Sequence, residues 1–288
     1  MSTLEVQNLS TSFHKKKLFD DLNLIFEQGH CYGLFGTNGS GKSTLYDIIL
    51  GRTHTMNGKI LFDGKEVTGS AMLHERVFCA GPHFAYPGDF TVKMIIKFTA
   101  ALHDTFNINY ANELVGKFGI NPKTRYAKLS TGEEALLQGI LALASSADFI
   151  IFDEPDLGVD ANHRELFHSE LAKKIAEEKS GIIITTHLLD EICPLLEQII
   201  ILHEGKILIN ESVESIEEEY LHLAGNGDVL DDFIPQVGEC IGSGSLGRYK
   251  SCLVKLNTPD SFDVPQGITA SPVLLSTLFQ HMTGGILS

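Results

Sequence analysis

Lys42 and Ser43 close the string Gly36-Thr37-Asn38-Gly39-Ser40-Gly41-Lys42-Ser43-Thr44, a G-x-x-x-x-G-K-[ST] pattern. Its glycines let the backbone curl until successive N–H groups, together with a helix N-terminus, point at phosphate oxygens. Lys42 supplies a cation to the β- and γ-phosphates. Ser43 offers a hydroxyl to Mg²⁺, which prefers a few oxygen ligands in addition to substrate phosphates. A second cluster lies downstream, where Phe149-Ile150-Ile151-Phe152 runs into Asp153 and Glu154. A carboxylate at the C-terminal end of a parallel strand points into the ligand crevice of such sheets. Asp153 is therefore a candidate to hold Mg²⁺ and Glu154 a candidate general base for the attacking water. Such a strand end also occurs as a plain structural turn; the glycine-rich string makes the chemical reading the stronger one.

These side chains need a scaffold, and the sequence supplies its outline. The apolar run Cys31-Tyr32-Gly33-Leu34-Phe35 reads as a strand into the glycine-rich loop, and residues 45–50 read as the helix out of it. Earlier residues alternate (Leu4, Val6, then Leu22, Leu24, Phe26) as antiparallel strands do, and Asn57-Gly58 and Asp63-Gly64 read as hairpin turns around a further short strand. Residues 84–145 change to helical spacing. Near-continuous apolar runs at 149–152, 182–184 and 199–202 then indicate buried parallel strands. The expected fold is a three-layer α/β domain over residues 1–210, with an antiparallel β subdomain and a helical insertion at about 84–145. An acidic helix is expected over 211–223, and residues 211–288 form a small C-terminal appendage carrying no motif.

Composition narrows the partners. With 37 acidic against 22 basic residues the formal charge is −15, which repels a phosphate backbone and argues against a nucleic-acid partner. The 5 cysteines form no C-x-x-C pair, so neither a disulfide framework nor a zinc site is expected, and a reduced cytosolic setting follows. No basic-then-apolar leader opens the sequence. The apolar stretch 136–152 is interrupted by Gln138, Ser145, Ser146 and Asp148, so a membrane role would have to come through a partner.

Leu129-Ser130-Thr131-Gly132-Glu133 reads locally as a helix start, with Ser130 or Thr131 as N-cap and Glu133 and Glu134 in the first turn. Followed by Asp153-Glu154-Pro155 and then Thr185-Thr186-His187, it completes an ordered set that resembles the ATP-binding subunit of an ABC transporter over roughly residues 2–223. The resemblance implies an ABC ATPase of the P-loop NTPase fold that binds Mg²⁺ and ATP and dimerises, as a homodimer or with a paralogous ATPase. Ser130 and Gly132 would close onto ATP held by the other subunit. His187 would contact the γ-phosphate and orient water against Glu154; a lone histidine after a strand is otherwise a surface or capping residue. Asp156 to Asp160 resembles the family's D-loop, with Asp160 near the partner and also suited to cap a helix from Ala161. Phe13 stands where an adenine-stacking aromatic is placed.

Some positions depart from the family pattern. Thr131 and Glu133 replace the usual glycine and glutamine, the latter adding negative charge beside the polyphosphate. No glutamine lies in Cys79-Ala80-Gly81-Pro82-His83-Phe84, so His83 takes the position of a glutamine that touches metal. The resemblance further implies an integral-membrane permease docked on the helical insertion at the cytoplasmic face. Similarity of residues 215–223 to the C-terminal helix of ABC-2 and drug-resistance ATPases points to export. The alternatives are a soluble ABC-type ATPase of translation or repair and a degenerate cassette that binds ATP without hydrolysis. The first lacks the coiled-coil insertion or basic surface it would need; Glu154 and His187 speak against the second.

Overall fold

The computed structural model describes residues 1–13, 16–53, 57–68, 73–82, 85–177, 179–258 and 263–284. Strands β1 (Thr3–Phe13) and β2 (Lys16–Glu27) pair antiparallel, and β3 (Cys31–Gly36) leads through the glycine-rich loop into α1 (Lys42–Ile49). β4 (Asn57–Phe62) and β5 (Lys65–Glu66) complete a four-stranded antiparallel sheet of order β2-β1-β4-β5. Asp63-Gly64 makes its hairpin turn with both residues at positive φ. Asn57-Gly58, expected as a turn, is instead the start of β4. Gly58 sits at φ 102°, and a Cβ there would lie 2.6 Å from Leu9 Cα, so the glycine lets β4 close onto β1 rather than reversing the chain.

A short α2 (Leu73–Arg76) precedes β6 (Val77–Ala80). The expected helical insertion follows as α3 (Val92–Leu102), α4 (Ile108–Lys117), a 3₁₀ turn at Tyr126–Lys128 and α5 (Thr131–Ala144). The chain then returns to the sheet with β7 (Phe149–Asp153), α6 (Ala161–Ala176), β8 (Gly181–Thr185), α7 (Leu189–Ile192), β9 (Gln198–His203) and β10 (Lys206–Ser212). The main sheet has the order β10-β9-β3-β8-β7-β6, parallel except for the edge strand β10.

Alternate residues of the central strands feed two cores. Ile150, Phe152, Ile182, Ile184, Ile199 and Ile201 pack with the helical side, while Tyr32, Leu34, Ile151, Ile183 and Ile200 pack with α1 and the antiparallel sheet. Burial on both faces is why these strands read as unbroken apolar runs. The stretch 136–152 is likewise the buried end of α5 followed by β7. No helix among the described residues is long and apolar enough to cross a membrane.

The C-terminal segment comprises α8 (Val213–Glu219), β11 (Tyr220–Asn226), α9 (Gly227–Val237), β12 (Gly238–Leu246), β13 (Tyr249–Leu256), β14 (Ile268–Pro272) and α10 (Leu275–Thr283). Its strands form an antiparallel sheet of order β12-β13-β11-β14. Residue 210 lies inside β10. The acidic helix expected over 211–223 is confined to α8, Val213–Glu219: β10 occupies the start, and from Tyr220 the chain is a strand. Ile216 is the one buried residue of α8, so no apolar stripe prolongs it, whereas β11 finds partners on both sides in β13 and β14. The helix expected over 215–223 on an exporter's pattern ends at Glu219. One face of this sheet, with Leu223, Cys252 and Val254, packs under α9; from the other, Tyr220 and Leu253 join Leu275, Leu278 and Phe279 of α10 in the larger core of the main domain.

Candidate functional site

The loop after β3 is shaped by its glycines. Gly39 and Gly41 adopt φ of 79° and 111°, and a Cβ on Gly41 would meet the Phe19 ring at 2.6 Å. Ser40 N–H donates to the Thr37 carbonyl at 3.0 Å, while the buried Ser40 hydroxyl has no partner. A Cβ on Gly36 would stand 2.4 Å from that hydroxyl, so this residue too must be bare. The Lys42 ammonium donates to the Gly36 carbonyl at 2.6 Å, which folds the side chain back over the loop. Burial pushes its pKa below the ordinary range, and Glu154 and Asp153 oppose that shift. Asn38, Gly39, Gly41, Lys42, Ser43 and Thr44 line a cleft of about 550 Å³ whose far wall is Asp153, Glu154 and His187.

Strand geometry delivers that far wall. β7 and β8 pair in register with Asp153 opposite Thr185, and the Glu154 N–H extends the ladder to the Thr185 carbonyl at 2.9 Å. Glu154 then turns into the left-handed region at φ 53°, which costs a non-glycine residue on the order of 1 kcal/mol or more and swings the carboxyl out of the strand direction. His187 Nε2 lies 3.1 Å from Glu154 Oε1. Behind the histidine, the Thr186 hydroxyl donates to Asp156 at 2.6 Å and accepts from the Leu188 N–H at 3.0 Å, fixing the segment from within. Tyr46 of α1 pins β8 from the other side, its hydroxyl 2.5 Å from that of Thr185.

Desolvation raises the Glu154 pKa to about 7; Asp156 and Asp153 add to the rise, and Lys42 and the His187 backbone N–H reduce it. A carboxyl poised there can take a proton from water near neutral pH. In the free protein it is neutral below that value and charged above it. Hydrolysis measured across about pH 5 to 9 should therefore show kcat/KM climbing with pH on an acid limb centred near 7; a flat acid side would exclude Glu154 as the titrating base.

Ser43 and Asp153 line the same cleft and present a hydroxyl and a carboxylate oxygen, donors that suit Mg²⁺. No cluster of three His, Cys, Asp or Glu metal ligands occurs among the described residues. His83 lies outside the described residues, as does the side chain of Phe13. Gly81, just before His83, has no room for a Cβ, which would sit 2.6 Å from that of Asp153. Leu18, Pro82 and Leu157 also line the cleft. The sequence alone does not mark them, since nothing in their local pattern separates them from core residues.

Ser130 and Gly132 are absent from this cleft. Ser130 caps α5: its hydroxyl accepts from Glu133 N–H at 3.2 Å while the Glu133 carboxylate accepts from Ser130 N–H at 2.9 Å. Gly132 abuts the loop after Glu154, where a Cβ would stand 2.4 Å from the Gly158 carbonyl. Asp160 caps α6 by accepting from the Asn162 and His163 N–H groups, and pairs with His163 Nδ1 at 2.6 Å. That hydrogen bond is the main reason the Asp160 carboxyl lies below the usual range.

A glycine-rich anion loop at the end of a central parallel strand, facing two carboxylates across a cleft, defines a P-loop nucleoside-triphosphate-binding domain. Residues 19–157 match the family model described as "ABC transporter". The chain carries an ABC transporter ATP-binding domain, a nucleotide-binding ATPase module. It is 28% identical over 220 residues to the ABC transporter ATP-binding protein YtrB of Bacillus subtilis, covering 76% of this chain and 75% of that protein. It is 28% identical over 213 residues to the Nod factor export ATP-binding protein I of Burkholderia lata, covering 72% and 69% respectively. It spans about half the length of the sugar-import ATP-binding proteins it also matches. A solved ATP-binding subunit of an ABC transporter shares the fold with a TM-score of 0.67 at 21% identity, over 74% of this chain and 91% of that one.

Proposed function

We propose that this chain is the ATP-hydrolysing subunit of an exporter, working at the cytoplasmic face of a membrane as a homodimer or with a paralogous ATPase. The observation that carries the reading is the convergence of Lys42, Asp153, Glu154 and His187 on one cleft at the C-terminal ends of β3, β7 and β8. Lys42 and the loop amides hold the phosphates, Glu154 takes the proton of the attacking water, and His187 orients that water against the γ-phosphate. Ser43 and Asp153 would hold Mg²⁺, which when bound offsets charge on the phosphates. Ser130 and Gly132, outside their own chain's cleft, are available to complete the site of a second subunit. Residues 1–210 form the ATPase domain in this reading and residues 211–288 its extension. Similarity to an export ATP-binding protein supports outward transport. Solute accumulation inside inverted vesicles on adding ATP tests direction, and depletion would reverse it. Steady-state ATP hydrolysis by the purified chain, alone and with its permease, tests the enzyme; no turnover in either sample would sink it.

The helical insertion offers the permease a surface. Met94, Phe98 and Leu102 fall four residues apart along α3 and are 47%, 44% and 59% exposed. Phe98 and Leu102 line a cleft of about 480 Å³ between the insertion and the sheet, reaching Arg52 and Phe78. Exposed apolar side chains in such a row suit a partner helix. Phe98→Ser is expected to release the subunit from membranes holding its permease, while ATPase activity of the isolated chain stays within about twofold. Sedimentation with membranes measures it, and undiminished co-sedimentation would remove this face from the interface.

A further inference from the structure

Helix α7 begins two residues after His187 and is held from two sides. From α6, Arg164 Nε and Nη2 each donate to a carboxylate oxygen of Glu191 at 3.3 Å, while its Nη1 donates to the Val159 carbonyl at 3.2 Å, beside Asp160. From the C-terminal segment, Ser276 of α10 donates to Asp190 through its backbone N–H at 3.1 Å and its hydroxyl at 2.5 Å. Leu274, at the N-cap of α10, provides no side-chain cap. Asp190, 86 residues earlier, supplies one to the first turn, where a carboxylate also meets the positive end of the helix dipole. Below this contact, Leu189 and Ile192 share a core with Leu275, Leu278 and Phe279.

We propose that Ser276 is a positioning residue for His187, acting through Asp190 and α7, so that the C-terminal extension sets how the histidine meets Glu154. The proposal rests on the reading of Glu154 and His187 as the hydrolytic pair. The chain from His187 to Asp190 is three residues long, too short to absorb a displacement of α7 without moving the imidazole. Arg164 ties the same helix to the loop that ends in Asp160, so α7 joins the extension, the histidine segment and, through Arg164, that loop. An extension that shifted on α7 would change turnover without touching the phosphate loop.

The test uses the full chain. Ser276→Ala is expected to lower kcat about threefold to tenfold while KM for MgATP stays within about twofold, because phosphate binding lies elsewhere and water orientation does not. Ser276→Thr, which keeps the hydroxyl, should restore kcat to within about twofold. Amide exchange without nucleotide should quicken at residues 187–192 in Ser276→Ala and remain unchanged in β3 and β7. Unchanged kcat with unchanged exchange at 187–192 overturns the proposal, and so does exchange that quickens equally across the central strands, since that marks a purely structural role. A wild-type chain that hydrolyses no ATP would overturn the reading on which the proposal rests, while the exchange data would still report whether Ser276 holds α7.

Discussion

Glu154→Gln is expected to lower kcat by about 10²- to 10⁴-fold, the range a positioned general base contributes, while MgATP affinity stays near that of the wild type. The amide preserves the volume of the side chain and its place 3.1 Å from His187 but accepts no proton from water. The same substitution should stabilise the nucleotide-free protein. Desolvation, then Asp156 and Asp153, raise the carboxyl from its ordinary 4.5 to about 7, so the folded state holds this proton more tightly than the unfolded state. Below about pH 4.5 the group is neutral in both states and costs nothing. As pH rises toward 7 the unfolded chain ionises it freely and the folded one does not, so stability falls, and above 7 the cost is complete. The bound on that cost is on the order of 3 kcal/mol. Thermal unfolding should therefore show Glu154→Gln more stable than wild type at pH 8 and indistinguishable near pH 4. A variant that turns over normally, or one that is less stable at pH 8, would contradict the assignment. Lost stability at a site poised for chemistry is the usual exchange between function and folding.

The parts of this molecule that a reader of the sequence can place are those governed by local rules. β7, β8 and β9 announce themselves because burial on two faces demands apolar residues at every position, and the start of α5 because a cap at Ser130 or Thr131 with a glutamate three residues on needs only a few residues of chain; the structure gives the cap to Ser130. The signals fail where tertiary contact decides. Glutamates 217–219 extend a helical pattern toward Leu223, yet two neighbouring strands claim the chain from Tyr220 onward. β12 carries Gly238, Gly242, Gly244, Ser243 and Ser245, poor strand formers taken singly, and holds its place by pairing with β13. Glu154 shows nothing of its left-handed backbone, since glycine or asparagine is the usual sign of that conformation. The ties of Arg164 to Glu191 and Ser276 to Asp190 bridge 27 and 86 residues, distances over which no pattern of spacing survives. The residues that meet in the cleft, Lys42, Asp153, Glu154 and His187, were thus legible, and the devices that aim them were not.

Lys42→Ala is expected to weaken MgATP binding by about 100-fold or more, near 3 kcal/mol, as measured by equilibrium titration with a fluorescent ATP analogue. The ammonium is partly desolvated before any nucleotide arrives. It is held against the Gly36 carbonyl at 2.6 Å and opposed in its loss of charge by Glu154 and Asp153. An arriving triphosphate thus meets a cation whose burial is already offset in part, and binding spends little on ordering the side chain. Removing it does a second thing. Lys42 lowers the Glu154 pKa, so without the cation Asp153, Glu154 and Asp156 face one another with less relief and Glu154 titrates higher still. The free variant should then lose stability over a window that opens near pH 4.5, as in the wild type, and closes at a higher pH. Lys42→Arg is not expected to rescue binding, because a planar fork of five donors does not fit where a single ammonium folds back onto one carbonyl. Affinity retained in Lys42→Ala would mean that the loop amides and Ser43 carry the phosphates alone, and would remove Lys42 from the site.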